Sequence, residues 1–296
     1  YQNTAVGKQA LRNTTTGHTN TAVGDSSLYA NTTGNNNTAL GHEAGRYNTT
    51  GGNHTFIGWK AGQANTTGGN NTFVGLQNGQ STTTGGNNSA FGVSCFQTNT
   101  TGTNNVAFGY EALQANTTAS NNTAVGLQAL KANTTGYGNT AVGDRALSLT
   151  TTGNNNVAIG EYAQSSSATA HGQFTLGSSN IGALRCNITG ISSLSDQRDK
   201  TSIVNSPYGL DFINTVQPRQ FVWESRNGNI KDGTTRIGFI AQELLVACDG
   251  NNDVLDLVLD DNPDKLEATY TNLIPILTKA IQELSAKNEA LLTRIE

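Results

Sequence analysis

The glycine of the recurring string Thr-Ala-Val-Gly returns every 17 residues, without one insertion, from Gly7 to Gly177. A second glycine series keeps the same step from Gly17 to Gly153, with Ala119 as its one departure. A fixed period of this kind is typical of a solenoid, in which each coil buries its apolar face only against its neighbours. Residues 1–164 are therefore predicted to form a stack of similar coils.

The few apolar residues of each coil indicate strands. The residue before the anchor glycine is always large and apolar, as in Val6, and a second apolar position recurs at Leu11 and Leu28. So few apolar positions cannot make a helical stripe, but they suit short strands joined by turns with Gly and Asn at positive φ. An asparagine column at Asn3, Asn20 and further 17-residue steps predicts a ladder of side-chain amides.

Val157-Ala158-Ile159-Gly160 resembles the head repeats of trimeric autotransporter adhesins, whose left-handed β-roll stacks one such strand per coil. The resemblance covers residues 1–164 and implies a trimeric β-roll. The thin core of a 17-residue coil also favours several chains sharing it. Three functions remain open for the repeats: a spacer or adhesin shaft, glycosylation at Asn-x-Thr triplets such as that of Asn31, and an ice-binding face of paired threonines. Adjacent threonines point to opposite sides of a strand, which argues against one flat threonine array.

Composition excludes several classes of function. The net charge of −4 leaves no basic footprint for nucleic acid, and no apolar run is long enough to insert into a membrane. Cys95, Cys186 and Cys248 are far apart and the histidines are scattered, so no metal site and no cofactor are predicted. Cys95 occupies an alanine position of the repeat and is predicted to be a small buried residue. The start at Tyr1 and the absence of methionine suggest a fragment of a longer polypeptide.

The charge density changes near residue 195. Residues 1–164 contain 11 Asp, Glu, Lys and Arg, whereas residues 195–296 contain 26. Residues 165–194, with Arg185 as their single charge, are predicted to form a neck. The chain is therefore predicted to be mainly β, with a trimeric solenoid followed by a small α+β domain.

Within the last third, local patterns predict individual elements. Ser206-Pro207 can begin a helix that carries Leu210, Ile213 and Val216. A strand is predicted over Arg219–Trp223, and a strand running into a second helix over Arg236–Leu245. The acidic run Asp253–Asp264 is predicted to be a solvated loop, because it lacks the spacing of an EF-hand.

The final segment, from about residue 272, has the pattern of a coiled-coil helix. Its apolar positions step by three and four residues, with one polar exception. They are Ile274, Leu277, Ile281, Leu284, Asn288, Leu291 and Ile295. The length of this seam favours an inter-chain coiled coil over packing on its own domain. Isoleucine at a with leucine at d favours dimers in model peptides, which stands against the trimer.

Four sequence blocks resemble one known family. These are Ser195–Lys200, Ile237–Leu244, Tyr270 with Leu273, and Leu277–Leu284. Together they are similar to the intramolecular chaperone domain of phage tail fibres and endosialidase tailspikes, the S74 family of self-cleaving peptidases. The resemblance covers residues 195 to about 290. It implies a domain that assembles three chains, helps to fold the β-rich fibre before it, and then cuts itself off once.

The same resemblance assigns site residues within Leu-Ser-Asp-Gln-Arg-Asp-Lys. It implies Ser195 as the nucleophile, Lys200 as its partner and Leu194–Ser195 as the bond to be cut. A serine hydroxyl needs a base, and a lysine amine can serve where desolvation or nearby cations lower its pKa. Residues five apart do not face each other on a straight helix or strand, so the segment must bend. Asp196 and Arg198 belong to the motif and are expected to hold the loop by ion pairing.

The sequence therefore predicts a segment of a tail fibre, located in the virion, with a self-releasing trimerisation domain that is a single-turnover serine endopeptidase. Its expected partners are two further copies of the chain and a host surface receptor or polysaccharide. One alternative is a bacterial cell-surface adhesin built from the same modules. The other is a glycan-degrading tailspike, although the carboxylates of the repeats are isolated from one another in sequence.

Overall fold

The chain folds into two compact units, Tyr1–Ser178 and Ser179–Glu296. The structure is a computed structural model that describes residues 2–178, 195–222, 235–264 and 266–295. Within the described residues, no helix is both long and apolar enough to cross a membrane. The first unit is a β-solenoid, and the second is a small α+β unit.

The solenoid has one three-residue strand per coil. Each strand pairs in parallel with the next along the chain, and the register joins residues 17 apart, as in Ala22 with Ala39. The eleven strands within residues 2–178 are β1 Thr4–Val6, β2 Thr21–Val23, β3 Thr38–Leu40, β4 Thr55–Ile57, β5 Thr72–Val74, β6 Ser89–Phe91, β7 Val106–Phe108, β8 Thr123–Val125, β9 Thr140–Val142, β10 Val157–Ile159 and β11 Phe174–Leu176. The predicted 17-residue solenoid is confirmed.

Only the middle side chain of a typical strand is buried inside the solenoid. Ala22 and Phe56 are fully buried, because successive side chains of a strand point to opposite faces. The large apolar residue before each glycine therefore lies outside, and Val6 is 56% exposed while Phe108 is 40% exposed. We call this line of residues, one per coil from Val6 to Leu176, the outer apolar column. It leaves each chain with apolar surface that its own coils do not cover.

The asparagine ladder is present, but its bonds run mainly to the backbone. The N–H of Asn37 donates to Oδ1 of Asn20 at 3.0 Å, and Nδ2 of Asn37 donates to the carbonyl of Gly51 at 3.0 Å. A direct amide-to-amide ladder lies in a second column, where Nδ2 of Asn48 donates to Oδ1 of Asn31 at 2.9 Å. Sequence reasoning missed this second column, although it repeats with the same period. Both ladders satisfy polar groups that the thin core buries.

The paired threonines have different environments. Oγ1 of Thr32 donates to the carbonyl of Thr49 at 3.0 Å, one coil along, and the bond recurs in most coils. The following residue, Thr33, is exposed. Only one threonine of each pair therefore remains fully open to solvent.

Two positions of a coil compensate for each other in size: where one holds a large side chain, the other holds a small residue. Phe56 and Phe73 replace the strand alanine, and Gly62 and Gly79 stand where other coils have a leucine such as Leu113. A Cβ on Gly62 would lie 2.5 Å from the ring of Phe56, and one on Gly79 would collide with Phe73. The backbone itself accepts a side chain there, since Leu113 has φ +51 beside +58 for Gly62. The glycines therefore make room for the rings.

One position of the buried asparagine column holds a histidine. His54 is 1% exposed, stacks on Phe56 at 4.6 Å and accepts the N–H of Asn71 at Nδ1. Burial lowers the pKa of His54 to about 4, despite hydrogen bonds to the backbone of Gly68 and Asn71. A protonated ring would carry a hydrogen on Nδ1 facing the N–H of Asn71. The folded chain therefore holds this histidine neutral.

We expect His54 to make the solenoid sensitive to acid. The unfolded histidine protonates near pH 6.5 and the folded one near 4, so stability is lost as pH falls through this window. The shift corresponds to about 3 kcal/mol between pH 7 and pH 4. Urea unfolding of His54→Asn, which restores the residue of the column, should show a pH dependence smaller by this amount. Exposed His18→Asn is the control, and equal acid sensitivity of His54→Asn and the natural chain would contradict the expectation.

The solenoid continues beyond residue 164. Strand β11, at Phe174–Leu176, pairs with β10 in the usual register and lies within the range 165–194 predicted as a neck. Residues 179–194 of that range lie outside the described residues. Cys95 is fully buried, as predicted, and its burial raises the pKa of the thiol to about 11. Cys186 lies outside the described residues.

The second unit combines short helices and the long helix α4 with two small antiparallel sheets. Val216, Leu244 and Leu257 form part of its core. Its helices are α1 Leu210–Ile213, α2 Ala241–Cys248, α3 Asn252–Leu255 and α4 Leu273–Ile295, and its strands are β12 Arg219–Val222, β13 Thr235–Gly238, β14 Val258–Leu259 and β15 Glu267–Ala268. Strand β12 pairs with β13, and β14 pairs with β15.

Most of the predicted elements of this unit are present. The helix predicted after Pro207 is only the single turn α1, and Trp223, predicted at the end of β12, lies outside the described residues. The prediction of a loop over Asp253–Asp264 was wrong in part, because most of α3 and all of β14 fall within it. Leu255 and Val258 supply the physical reason, since both are buried in the core and draw the acidic segment onto it.

Helix α4 has two apolar faces. Leu273, Ile276 and Ala280 are buried against its own unit. The predicted heptad seam lies on a different face, and within it Ile281 is 67% exposed and Leu284 is 47% exposed. The helix is confirmed, and its seam is uncovered within a single chain.

Candidate functional site

The motif around residue 195 bends at a single turn of 3-10 helix, Gln197–Asp199. Asp196 caps this turn, since its Oδ1 accepts the backbone N–H of Arg198 at 2.9 Å. The N–H of Lys200 closes the turn on the carbonyl of Gln197 at 3.1 Å. An aspartate at the N-cap is a strong local signal for such a turn. The bend that the sequence required therefore forms from the motif itself.

The turn brings Ser195 and Lys200 together. Nζ of Lys200 donates a hydrogen bond to Oγ of Ser195 within one chain. In this contact the lysine is the donor. After the ammonium loses a proton, the same contact lets the amine accept the hydroxyl proton instead.

Asp196 and Arg198 form a two-point ion pair beside this contact. Nε and Nη2 of Arg198 donate to the carboxylate of Asp196 at 3.0 and 2.6 Å. The Arg198 side chain, together with its backbone N–H, holds the pKa of Asp196 below its usual value. The pair is exposed, so its contribution to stability is small. Its geometry nevertheless fixes the turn, because one carboxylate binds both the backbone and the side chain of Arg198.

The predicted cleavage site is described only on its Ser195 side. Leu194, whose carbonyl would be attacked, lies outside the described residues. Ser195 and Lys200 are both exposed to solvent in the single chain. The hydrogen bonds described for residues 195–200 all run within that segment.

Two of the other three sequence blocks, Ile237–Leu244 and Tyr270 with Leu273, meet at the core of the second unit. The ring of Phe239 packs edge-on against Tyr270 at 5.4 Å, and the Tyr270 hydroxyl lies 3.4 Å from the backbone of Phe239. Leu273 is buried in the same core. Blocks that are distant in sequence therefore form one packed structure.

Sequence reasoning missed two carboxylates that position this unit. Oε2 of Glu283 on α4 accepts the N–H of Leu210 at 2.8 Å, which caps α1 and holds the pKa of Glu283 below its usual value. Glu243 on α2 binds Arg219 on β12 at two points, 2.8 and 2.9 Å. Both lie in or beside the quoted blocks, but their partners could not be read from spacing.

The match to known families falls on the same segment. Residues 195–250 match the Peptidase_S74 family, chaperone of endosialidase. This confirms the resemblance for the segment that contains Ser195, Lys200 and the Phe239 block. The match to the endosialidase chaperone ends at residue 250, and it does not include the solenoid or α4. Neither the curated proteins nor the solved structures contain a significant match to the chain. Among the described residues, no group of His, Cys, Asp and Glu could hold a metal ion.

Proposed function

We propose that this chain is a tail-fibre segment whose C-terminal domain trimerises and folds the solenoid, and then removes itself by cutting Leu194–Ser195. The observation that carries the proposal is the Ser195–Lys200 contact, inside the segment that matches the endosialidase chaperone. The solenoid before it is the kind of β-rich structure that such a chaperone would serve. The proposed place of action is the tail of a phage, and the solenoid would serve in host attachment.

The cut proceeds through an acyl shift. Oγ of Ser195 attacks the carbonyl carbon of Leu194 through a five-membered ring while Nζ of Lys200 takes the hydroxyl proton. The C–N bond then breaks, the lysine returns the proton to the released amino group, and the Leu194 acyl group is held as an ester on Oγ. Water hydrolyses the ester, giving a carboxylate at Leu194 and a free hydroxyl at Ser195. Each chain can do this once.

Assembly would control the cut. A lysine acts as a base when its surroundings disfavour its charge, and Lys200 is exposed in the single chain. Contact with neighbouring chains would remove water from the turn and bring the site to its active state. This couples the cut to completed folding and protects an unassembled chain from losing its chaperone.

Two uncovered apolar surfaces support the homotrimer. The outer apolar column runs the length of the solenoid, with Val6 and Phe108 well exposed. The seam of α4 exposes Ile281 and Leu284 in the same way. Burying a large apolar side chain contributes about 1.5–3 kcal/mol, so both surfaces favour association.

The pairing of Glu43 and Glu111 with cations favours a binding role over a glycanase role for the solenoid. Glu43 contacts Arg46, and Glu111 contacts Lys131 at 2.6 Å. Glycosidases of the common kind use two carboxyl groups about 5–10 Å apart. These glutamates are paired with cations instead.

The test is the mass of the purified full-length chain under denaturing and native conditions. We expect two fragments, one ending at Leu194 and one beginning at Ser195, and a native species of three chains, each 31.0 kDa before cleavage. Ile281→Lys, which places a charge in the α4 seam, should shift the chain towards monomers and leave it uncut. An uncut natural chain in a native trimer would overturn the cleavage, and a dimer would overturn the trimer.

A further inference from the structure

All eleven Asp, Glu, Lys and Arg residues of residues 1–164 fall in three of the 17 columns of the repeat. These columns are the first, second and fifth residues after the anchor glycine of each coil. They lie together in space, because Glu43 of the second column contacts Arg46 of the fifth, and Nζ of Lys60 in the second column lies 4.4 Å from the ring centre of Trp59 in the first. We call this line of turns, from the coil of Gly7 to that of Gly160, the charged edge.

The coils are equivalent, so comparing the same position in successive coils shows which positions the fold requires and which it leaves free to vary. The buried columns repeat Asn, Ala or Gly along most of the stack, because their places in the ladders and core require them. The first column of the charged edge instead holds residues as different as Lys8, Asp25, Trp59 and Tyr110. The fold therefore tolerates almost any side chain there. Variation on a regular scaffold is where recognition residues are found.

The charges of this edge are already balanced by one another. Glu43 contacts Arg46, lies 3.8 Å from Lys60 and accepts from Nε2 of Gln63 at 2.6 Å. The eleven charges comprise six basic and five acidic residues. An edge so close to neutral offers no strong field for a polyanion.

A second network occupies later coils of the edge. Glu111 binds Lys131 at 2.6 Å and Nε2 of Gln128 at 2.8 Å, and Oε1 of Gln128 accepts from Nε of Arg145 at 2.9 Å. Lys131 holds the pKa of Glu111 below its usual value, so this carboxylate stays ionised. Polar groups fixed in this way are preorganised to accept or donate hydrogen bonds.

Exposed aromatic rings stand beside both networks. Trp59 is 40% exposed with Nζ of Lys60 4.4 Å from its ring centre, and Tyr162 is 42% exposed with Arg145 5.1 Å from its ring centre. Tyr110 is 48% exposed and adjoins Glu111. Aromatic rings held by cations present an apolar face that is fixed before any ligand arrives.

We propose that the charged edge binds an extended polysaccharide of little net charge. The ring faces match the C–H faces of sugar rings, and the fixed carboxylates, amides and guanidinium groups match sugar hydroxyls. This rests on the proposed function of a fibre segment in host attachment, and it names the ligand class and the surface. A second copy of the chain has other surfaces to pair through, because the outer apolar column and the α4 seam are both uncovered in the single chain.

The test uses the full chain on a printed array of purified bacterial capsular and O-antigen polysaccharides. Trp59→Ala and Tyr110→Ala should each weaken binding to the recognised polysaccharide at least tenfold. Tyr137→Ala is the matched control, since Tyr137 is 51% exposed but lies outside the charged edge, and its effect should stay within twofold. Native mass and a denaturing gel are recorded on the same samples.

Several outcomes would overturn the inference. The natural chain could bind no polysaccharide, Tyr137→Ala could weaken binding as much as Tyr110→Ala, or the edge variants could change the native mass. The last result would make the edge a contact between chains. A chain that trimerises and cuts itself but binds no polysaccharide would overturn this inference alone and leave the proposed self-cleavage standing.

Discussion

Lys200→Ala is expected to leave the chain uncut while it still assembles. The lysine is the one group that the described structure places on Oγ of Ser195, so its loss removes the base for the acyl shift. Ser195→Ala should have the same effect, because it removes the nucleophile itself. Loss of one member of a catalytic unit lowers rates by about 10⁴-fold or more, which a denaturing gel would show as a single full-length band.

Lys200→Arg tests whether the cut needs the positive charge of Lys200 or its ability to transfer a proton. Arginine can keep a positive group near Ser195, but its guanidinium does not give up its proton in proteins and cannot act as the base. We expect this variant to remain uncut. Ser202→Ala, an exposed serine shortly downstream, is the matched control and should be cut normally. Fragments ending at Leu194 from Lys200→Ala would show that the lysine is not the base.

Gly79→Leu and Phe73→Ala are each expected to destabilise the solenoid, and together to rescue one another. Removing the fully buried ring of Phe73 leaves a cavity and should cost about 3–5 kcal/mol. Gly79→Leu places a side chain against that ring and should cost about 3 kcal/mol through overpacking. The double variant recreates the pair found in another coil, where Ala107 and Leu113 are both buried.

The measurement is a double-mutant cycle by urea unfolding. Residues that share one space show coupling energies of about 0.5–3 kcal/mol, and this pair should lie near the upper end in the direction of rescue. The double variant should remain below the natural chain, because Phe73 also packs against Phe56 at 5.6 Å. Destabilisation that simply adds, with no coupling, would contradict the exchange of volume. Leu113→Gly beside Ala107 is the control and should only destabilise.

The residues of the candidate site could be predicted from the sequence, but the contacts that position them could not. The motif named Ser195, Lys200, Asp196 and Arg198, and the need for a bend followed from their spacing. The cap that makes the bend, Oδ1 of Asp196 on the N–H of Arg198, required coordinates. The contacts of Glu283 and Glu243 were not foreseen, because each partner lies tens of residues away and no period connects them.

The sequence by itself determined the period, the strand in each coil and the border between the two compositions. These follow from local chemistry, because a residue repeated every 17 positions must meet its own copy in the next coil. Only the tertiary structure decided which apolar residues face inwards, so that Ala22 is buried while Val6 is 56% exposed. It also decided that the side chain of Phe73 fills the space beside Gly79, and that the charged columns of the solenoid lie side by side along one edge. The physical reason is that side chains from separate turns compete for the same volume, and spacing along the chain does not reveal which turns will meet.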